Sequence, residues 1–304
     1  MAISRTQLVK ELEPGLNALF GLEYKRYENQ HAEIYTTESS DRAFEEEVML
    51  SGFANAQTKA EGQGVAFDSA QETYTARYTH DTIALAFAIT EEAIEDNLYD
   101  RISSRYTKAL ARSMSNAKQV KAVTPLIDGL PSTDGFDSGD GVSLFNTAHT
   151  TVSGTNVKNT LTTQADLNET SLEQSLIDIA AMTDERGLRI AARGVKMIVP
   201  SANQFTAERL MKSQGRTGTA DNDINAIGSM GMIPQGYRVN NYLTDSDAFY
   251  IITDVPNGMK MFQRAPLKTA MEGDFDTGNV RYKARERYSF GVSDYRGIFG
   301  VEGA

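Results

Sequence analysis

The chain has 304 residues, enough for one large or two modest cores, and a formal charge of -11, which excludes a dedicated nucleic-acid-binding module with its basic footprint. It has no cysteine and no tryptophan, and its only histidines are His31, His80 and His149. Disulfides, thiolate metal sites and thiol catalysis are thereby excluded, a reducing cytosol is the expected site of synthesis, and no run approaches the length of a membrane span.

Residues 1–40 open with Leu8, Leu12, Leu16 and Leu19 at helical spacing, broken by Pro14-Gly15, and continue as a polar stretch to Ser40. That pattern predicts an arm lying on a neighbouring surface. Residues 41–80 predict a long projecting β-hairpin. Phe44-Glu-Glu-Glu-Val-Met-Leu leads into a glycine-rich tip, and the return strand alternates Tyr74, Ala76 and Tyr78 against Thr75, Arg77 and Thr79. Ile83, Leu85, Phe87 and Ile89 then alternate with alanines, predicting a strand with one apolar face.

A long helix is expected from Thr90 as N-cap, over residues 91–123. Ile94, Leu98, Ile102, Tyr106, Leu110 and Met114 recur at every fourth position, with Ala109, Ala117 and Val120 beside them. Glu91 and Glu92 near its start, and Arg105, Lys108, Arg112, Lys118 and Lys121 in its second half, have the signs that the helix dipole favours. Pro125 and Gly129 mark the end. About 30 residues at about 1.5 Å each span about 45 Å, and a single apolar stripe of that length needs a broad surface against it. The helix reads as the backbone of a plate-like subunit.

Further along, Asp166 to Thr183 is predicted helical, with Thr170-x-x-Glu173 as capping box and Gly187 as terminator. Val195–Val199 reads as a buried strand stopped by Pro200, and Gln204–Met211 as a short helix. Residues 212–236 are polar and glycine-rich, an exposed loop. Strands are expected at Tyr237–Leu243, Phe249–Thr253 and Met259–Phe262. A final strand carries Val280, Tyr282, Ala284, Tyr288 and Phe290 on one face and Arg281, Lys283, Arg285 and Arg287 on the other.

None of these segments presents a catalytic or metal-binding constellation. The run Asp134-Gly-Phe-Asp-Ser-Gly-Asp-Gly lacks the spacing and terminal glutamate of a calcium loop and reads as a solvated turn. His149 has no second histidine or cysteine at ligand spacing and no nucleophile beside it, so a structural hydrogen bond is expected of it. The glycines of 212–236 match no phosphate loop. The basic face of the last strand reads as a nucleic-acid contact, as a solvated edge, or as a docking rail for an acidic partner, which Glu45, Glu46 and Glu47 of another copy of the chain would supply.

Arm, hairpin, strand, long helix, an α/β part with an open loop and a closing strand follow one another in an order that resembles the major capsid protein of tailed double-stranded DNA bacteriophages, the Hong Kong 97-like fold. Leu144-Phe-Asn-Thr-Ala-His149 with Gly154 and Asn156 is similar to a run in many phage head proteins. So is Leu172-Glu with Ile179, Arg186-Gly-Leu and Val195-Lys-Met-Ile-Val-Pro-Ser, and the ending Arg281-Tyr-Lys-Ala-Arg-Glu-Arg-Tyr with Asp294-Tyr-Arg-Gly looks like the closing strand of that fold.

The resemblance implies an α+β chain with an N-terminal arm (1–40), an extended loop (41–80), a peripheral domain (81–165) containing the spine helix 91–123, an axial domain (166–265) and a return to the peripheral domain (266–304). It implies a non-enzymatic shell subunit without cofactor or metal. Such subunits assemble in the host cytoplasm as pentamers and hexamers around double-stranded DNA, with a portal protein, a separate scaffolding protein and a decoration protein as partners. The alternative within the fold is an encapsulin-like nanocompartment enclosing a cargo enzyme. Intersubunit contact is expected at Glu45, Glu46, Glu47, Lys59, Arg281, Lys283, Arg285 and Arg287. Some relatives cross-link a loop lysine to an asparagine with help from a glutamate, and Lys59, Asn279 and Glu286 match. The hydrophilic setting of Lys59 and the turn around Asn279 lead us to expect no cross-link.

Overall fold

The computed structural model describes residues 5–90, 92, 99–133, 135–215, 223–274 and 278–304. The expected helix start at Glu91 and the stripe positions Ile94 and Leu98 lie outside the described residues. The helix itself is described from Tyr99 to Asp128, as α2, and helix α1 (Arg5–Arg26) lies against it. Pro14 does not break α1, which runs through it as one continuous helix. Leu16 and Phe20 are buried against Leu110, Ala111 and Met114 of α2 and Tyr282 and Ala284 of the sheet beneath. Each such side chain contributes about 1.5–3 kcal/mol when fully buried, enough to seat the arm on its own subunit. Expectation and structure differ here because the leucines alone underestimate the seam, which Phe20 and Tyr24 complete.

The seam of α2 also departs from the expected stripe. Tyr106 and Val120 are exposed, whereas Ser103, Thr107, Ser115, Lys118 and Gln119 are buried among Leu110, Met114, Val123 and Leu126. A period of 3.6 drifts off a strict four-residue repeat within three turns, and polar residues take the places the drift opens. Pro125 sits inside the last turn and the helix ends at Asp128, five residues later than expected.

Two four-stranded sheets form the body. The first has the order β1 (Thr36–Ser39), β10 (Met259–Gly273), β11 (Val280–Val292), β4 (Asp81–Ile89). The second has the order β12 (Ile298–Val301), β9 (Phe249–Thr253), β7 (Gly194–Val199), β8 (Tyr237–Val239). The hairpin strands β2 (Phe44–Leu50) and β3 (Glu72–Thr79) pair with each other, as do the short β5 (His149–Thr150) and β6 (Asn156–Val157). The main core lies around the second sheet, where the C-terminal half of α2 (Ala122, Val123, Leu126) meets Leu172, Ile179, Ile198, Tyr250 and Phe299. One helix thus serves both sheets.

Where the chain passes between sheets, Gly258 and Gly297 touch backbone to backbone; a Cβ on Gly297 would lie 3.2 Å from the Gly258 nitrogen and closer still to its Cα. Only glycine permits that approach. Strands β1 and β12 were not expected, and β10 is far longer than Met259–Phe262. Pro266 and the bulges flanking Ala265 hide its continuity in the sequence. Tyr237–Leu243 shrinks to β8, which ends at Val239.

Helix α3 (Glu169–Ala181) is capped by Asn168, whose Oδ1 accepts from the Ser171 N–H at 2.9 Å while the Ser171 hydroxyl accepts from the Asn168 N–H at 3.0 Å. The box expected at Thr170 and Glu173 therefore sits two residues earlier. Helix α3 ends at Ala181, ahead of Gly187, which serves the following turn instead. After α4 (Gln204–Lys212), the second half of the expected open loop is structured: α5 (Ala226–Met230) is capped by Asn225, and Ile227 and Ile233 are buried.

Candidate functional site

Each histidine is buried and engaged within the fold. His149 stacks on Tyr295 at 3.8 Å, with Nδ1 2.6 Å from Asp140 Oδ2 and Nε2 3.1 Å from Asn159 Oδ1. His80 lies between the hydroxyls of Ser40 and Ser289, each 2.9 Å from a ring nitrogen. The His31 Nδ1 accepts from the Gln119 amide at 3.0 Å. Among the described residues no group of three or more His, Asp and Glu side chains is arranged to hold a metal ion.

The hairpin leaves the body from a polar root. Glu45 accepts from Ser40, at the first end of the hairpin, and Ser40 meets His80 at the other. Lys260 on β10 bonds Glu47 at 2.5 Å and Glu38 at 3.2 Å; burial works against its charge, but the two carboxylates prevail and raise its pKa. Glu47 also accepts from the Ser293 hydroxyl, which is itself hydrogen-bonded to Tyr78. Tyr78 packs edge-on against Phe262, with Ala76 beside it. The alternation of β2 turns Glu45 and Glu47 inward and Glu46 outward, where its carboxylate lies 3.7 Å from Arg77. Beyond the root, residues 51–71 carry no strand or helix, and Lys59 is exposed among them. Phe53, Val65 and Phe67 are exposed there too, Phe67 at 99 %.

On β11 the expected two faces hold. Val280, Tyr282, Ala284 and Tyr288 are buried, whereas Arg281, Lys283 and Arg285 are exposed and Arg287 half-buried. Arg281 pairs with Asp274; Lys283, Arg285 and Arg287 have no ion-pair partner among the described residues. Their neighbours on β4 are Ala86, Ala84 and Thr82, so the row stands on a smooth strip. Within one chain the glutamates of β2 and this row are not brought together.

Glu286 falls on the buried face, 1 % exposed, with Lys118 Nζ 3.2 Å away and the Tyr24 hydroxyl at 3.4 Å. Burial raises its pKa against the pull of Lys118. Asn279 lies in the turn before β11, where its carbonyl accepts from the Asp274 N–H. The position of Glu286 was legible in part, since it keeps register with Tyr282, Ala284 and Tyr288; its partner on α2 was not.

A family described as phage capsid protein matches residues 72–301, from the return strand of the hairpin to β12. The chain belongs to the phage capsid protein family.

The capsid protein is similar to chains in solved shells. In the procapsid of bacteriophage JBD30 the TM-score is 0.55 at 14% identity, covering 99% of this chain and 77% of that one. For the capsid of Myoviridae phage XM1 it is 0.53 at 11% identity, with 89% of each chain covered. For a virus-like particle from Pyrococcus furiosus it is 0.50 at 10% identity, with 94% and 98% covered. At such identities the likeness shows the fold, which is the α+β Hong Kong 97-like fold. No curated protein matches the sequence. The capsid protein is a structural shell subunit.

Proposed function

We propose that this chain is the major capsid protein of a tailed phage, closing as pentamers and hexamers into an icosahedral head around double-stranded DNA. The observation that carries the reading is the hairpin tip: apolar side chains including Phe67 stand in solvent, on a segment with no core of its own. A lone subunit gains nothing from that exposure, whereas a second copy covering the tip buries it. Residues 1–40 act as arm, 41–80 as extended loop, 81–165 with 266–304 as peripheral domain and 166–265 as axial domain.

In this reading Glu45, Glu46, Glu47 and Lys59 on the hairpin and Arg281, Lys283, Arg285 and Arg287 on β11 are intersubunit contacts. A portal protein, a scaffolding protein and a decoration protein complete the head, assembly takes place in the host cytoplasm, and the shell performs no catalysis. The like charge of wall and genome keeps packed DNA from sticking over most of the surface. Negative-stain microscopy of purified protein, with the ratio of absorbance at 260 and 280 nm, tests the proposal. Closed shells holding nucleic acid are expected. Shells holding a protein cargo and no nucleic acid would move the assignment to a nanocompartment.

A further inference from the structure

Helix α2 is the most one-sided charged element of this acidic protein. From 101 to 127 it contains Arg101, Arg105, Lys108, Arg112, Lys118 and Lys121 and no aspartate or glutamate. Two of these cations are satisfied inside the fold, Lys118 by Glu286 and Lys121 by Asp81. Arg105, Lys108 and Arg112 are exposed and have no ion-pair partner among the described residues. Spaced three and four apart, they share one helix face and repel one another. The helix dipole does not account for them: its effect is confined to the terminal turn, and the last turn of α2 holds no basic residue.

The same face borders a crevice of about 420 Å³ alongside α1 and α2. Lys108, Arg112, Ser113 and Asn116 line it from α2, Glu23 from α1 and Tyr27 from just past the end of α1. Glu23 is held on its own helix by Arg26 and Tyr27. The serine and asparagine are neutral donors of the kind that contact phosphate oxygens.

We propose that the outer face of the α1–α2 pair is a phosphate-binding surface for the backbone of packaged double-stranded DNA, with Arg105, Lys108 and Arg112 as its cations. The seven helical steps from Arg105 to Arg112 climb about 10 Å, over which one strand of a duplex presents about three phosphates. Among the described residues the only aromatic side chain lining the crevice is Tyr27, whose hydroxyl is bonded to Glu23, so contact is independent of sequence. The stripe is a local tether on an otherwise repelling wall. The inference rests on the reading that the shell encloses DNA.

Fluorescence anisotropy of a labelled 24-base-pair duplex with the unassembled full-length subunit, from 50 to 200 mM salt, tests it. The Arg105→Gln, Lys108→Gln, Arg112→Gln variant is expected to lose about 2 to 3 from the slope of log affinity against log salt, near 0.9 per phosphate contact. A charge-matched variant at exposed arginines given no binding role, Arg189→Gln, Arg193→Gln, Arg209→Gln, is expected to keep the slope within about one of the unmodified subunit. Equal slopes for the first variant and the unmodified protein overturn the inference, and so does an equal loss in both variants. Displacement of the duplex by poly-glutamate at matched charge would assign the stripe to an acidic protein, and displacement by inorganic phosphate at matched ionic strength to a free anion; either overturns it. Purified particles devoid of nucleic acid would instead defeat the reading it rests on.

Discussion

Lys118 Nζ and Glu286 Oε2 lie 3.2 Å apart, buried between α2 and β11 beneath the arm helix α1. Taking two charges out of water costs nearly what their attraction returns, so the pair adds little net stability, yet losing one partner is severe. Lys118→Ala is expected to lower unfolding free energy by about 3–5 kcal/mol in urea denaturation of the full-length subunit. Lys118→Met combined with Glu286→Leu should recover most of that loss. A double variant as unstable as the single one would show that the pair does more than neutralise itself.

His31, beside the same pair, gives the subunit an acid sensitivity. Burial, with the Lys118 charge nearby, lowers its pKa from 6.5 to about 4. The unfolded chain therefore takes up the proton first as pH falls. The stability that His31 contributes is full above pH 6.5 and is lost on the way down to about 4, on the order of 3 kcal/mol over the window. Glu286 acts with the opposite sign: its raised pKa makes its contribution present below the unfolded value of 4.5 and lost as pH rises through the folded one. Urea midpoints at pH 7, 5.5 and 4.5 should fall for the unmodified protein and stay flatter in His31→Asn. An identical decline in the variant would place the sensitivity elsewhere.

Deleting Ala54–Val65 should leave a soluble, folded subunit that makes no shells. The root contacts of Lys260, Glu47, Ser40 and His80 all lie outside the deletion. Normal particles by electron microscopy would sink the assigned role of the tip.

Charge reversal tests the proposed pairing of hairpin and closing strand. Reversing Glu45, Glu46 and Glu47 to lysine should block assembly, and reversing Arg281, Lys283, Arg285 and Arg287 as well should restore part of it. Because Glu47 holds Lys260 within the chain, Glu46→Lys alone is the cleaner probe. Exposed pairs contribute about 0–1 kcal/mol each, so its effect should be a shift in the concentration needed for assembly rather than a loss of folding. No rescue by the combined reversal would count against the pairing.

Covalent joining of subunits is not expected. Glu286 is committed to Lys118 beneath α1, and Lys59 is exposed among the polar Thr58, Glu61 and Gln63. Particles boiled in detergent should run as one band near 33.4 kDa. A ladder that disappears in Lys59→Arg would overturn this.

Local periodicity carried much of the architecture. The two-residue alternation of Tyr74, Ala76 and Tyr78, and of Tyr282, Ala284 and Tyr288, was enough to place the hairpin and the two faces of β11, because a strand's sidedness depends on its own residues alone. The existence of α2 and the exposure of Arg281, Lys283 and Arg285 were legible from local periodicity in the same way. What depended on distant contacts was not. Polar β1 becomes a strand only because β10 offers it an edge, and α1 runs through Pro14 over a groove built by α2, β10 and β11. Lys118 is buried rather than solvated because Glu286, 168 positions away, meets it there. The sequence by itself determined which faces are apolar and which are charged; the tertiary structure decided which charges are already answered within the subunit, since pairing across such separations is set by packing and not by any local period.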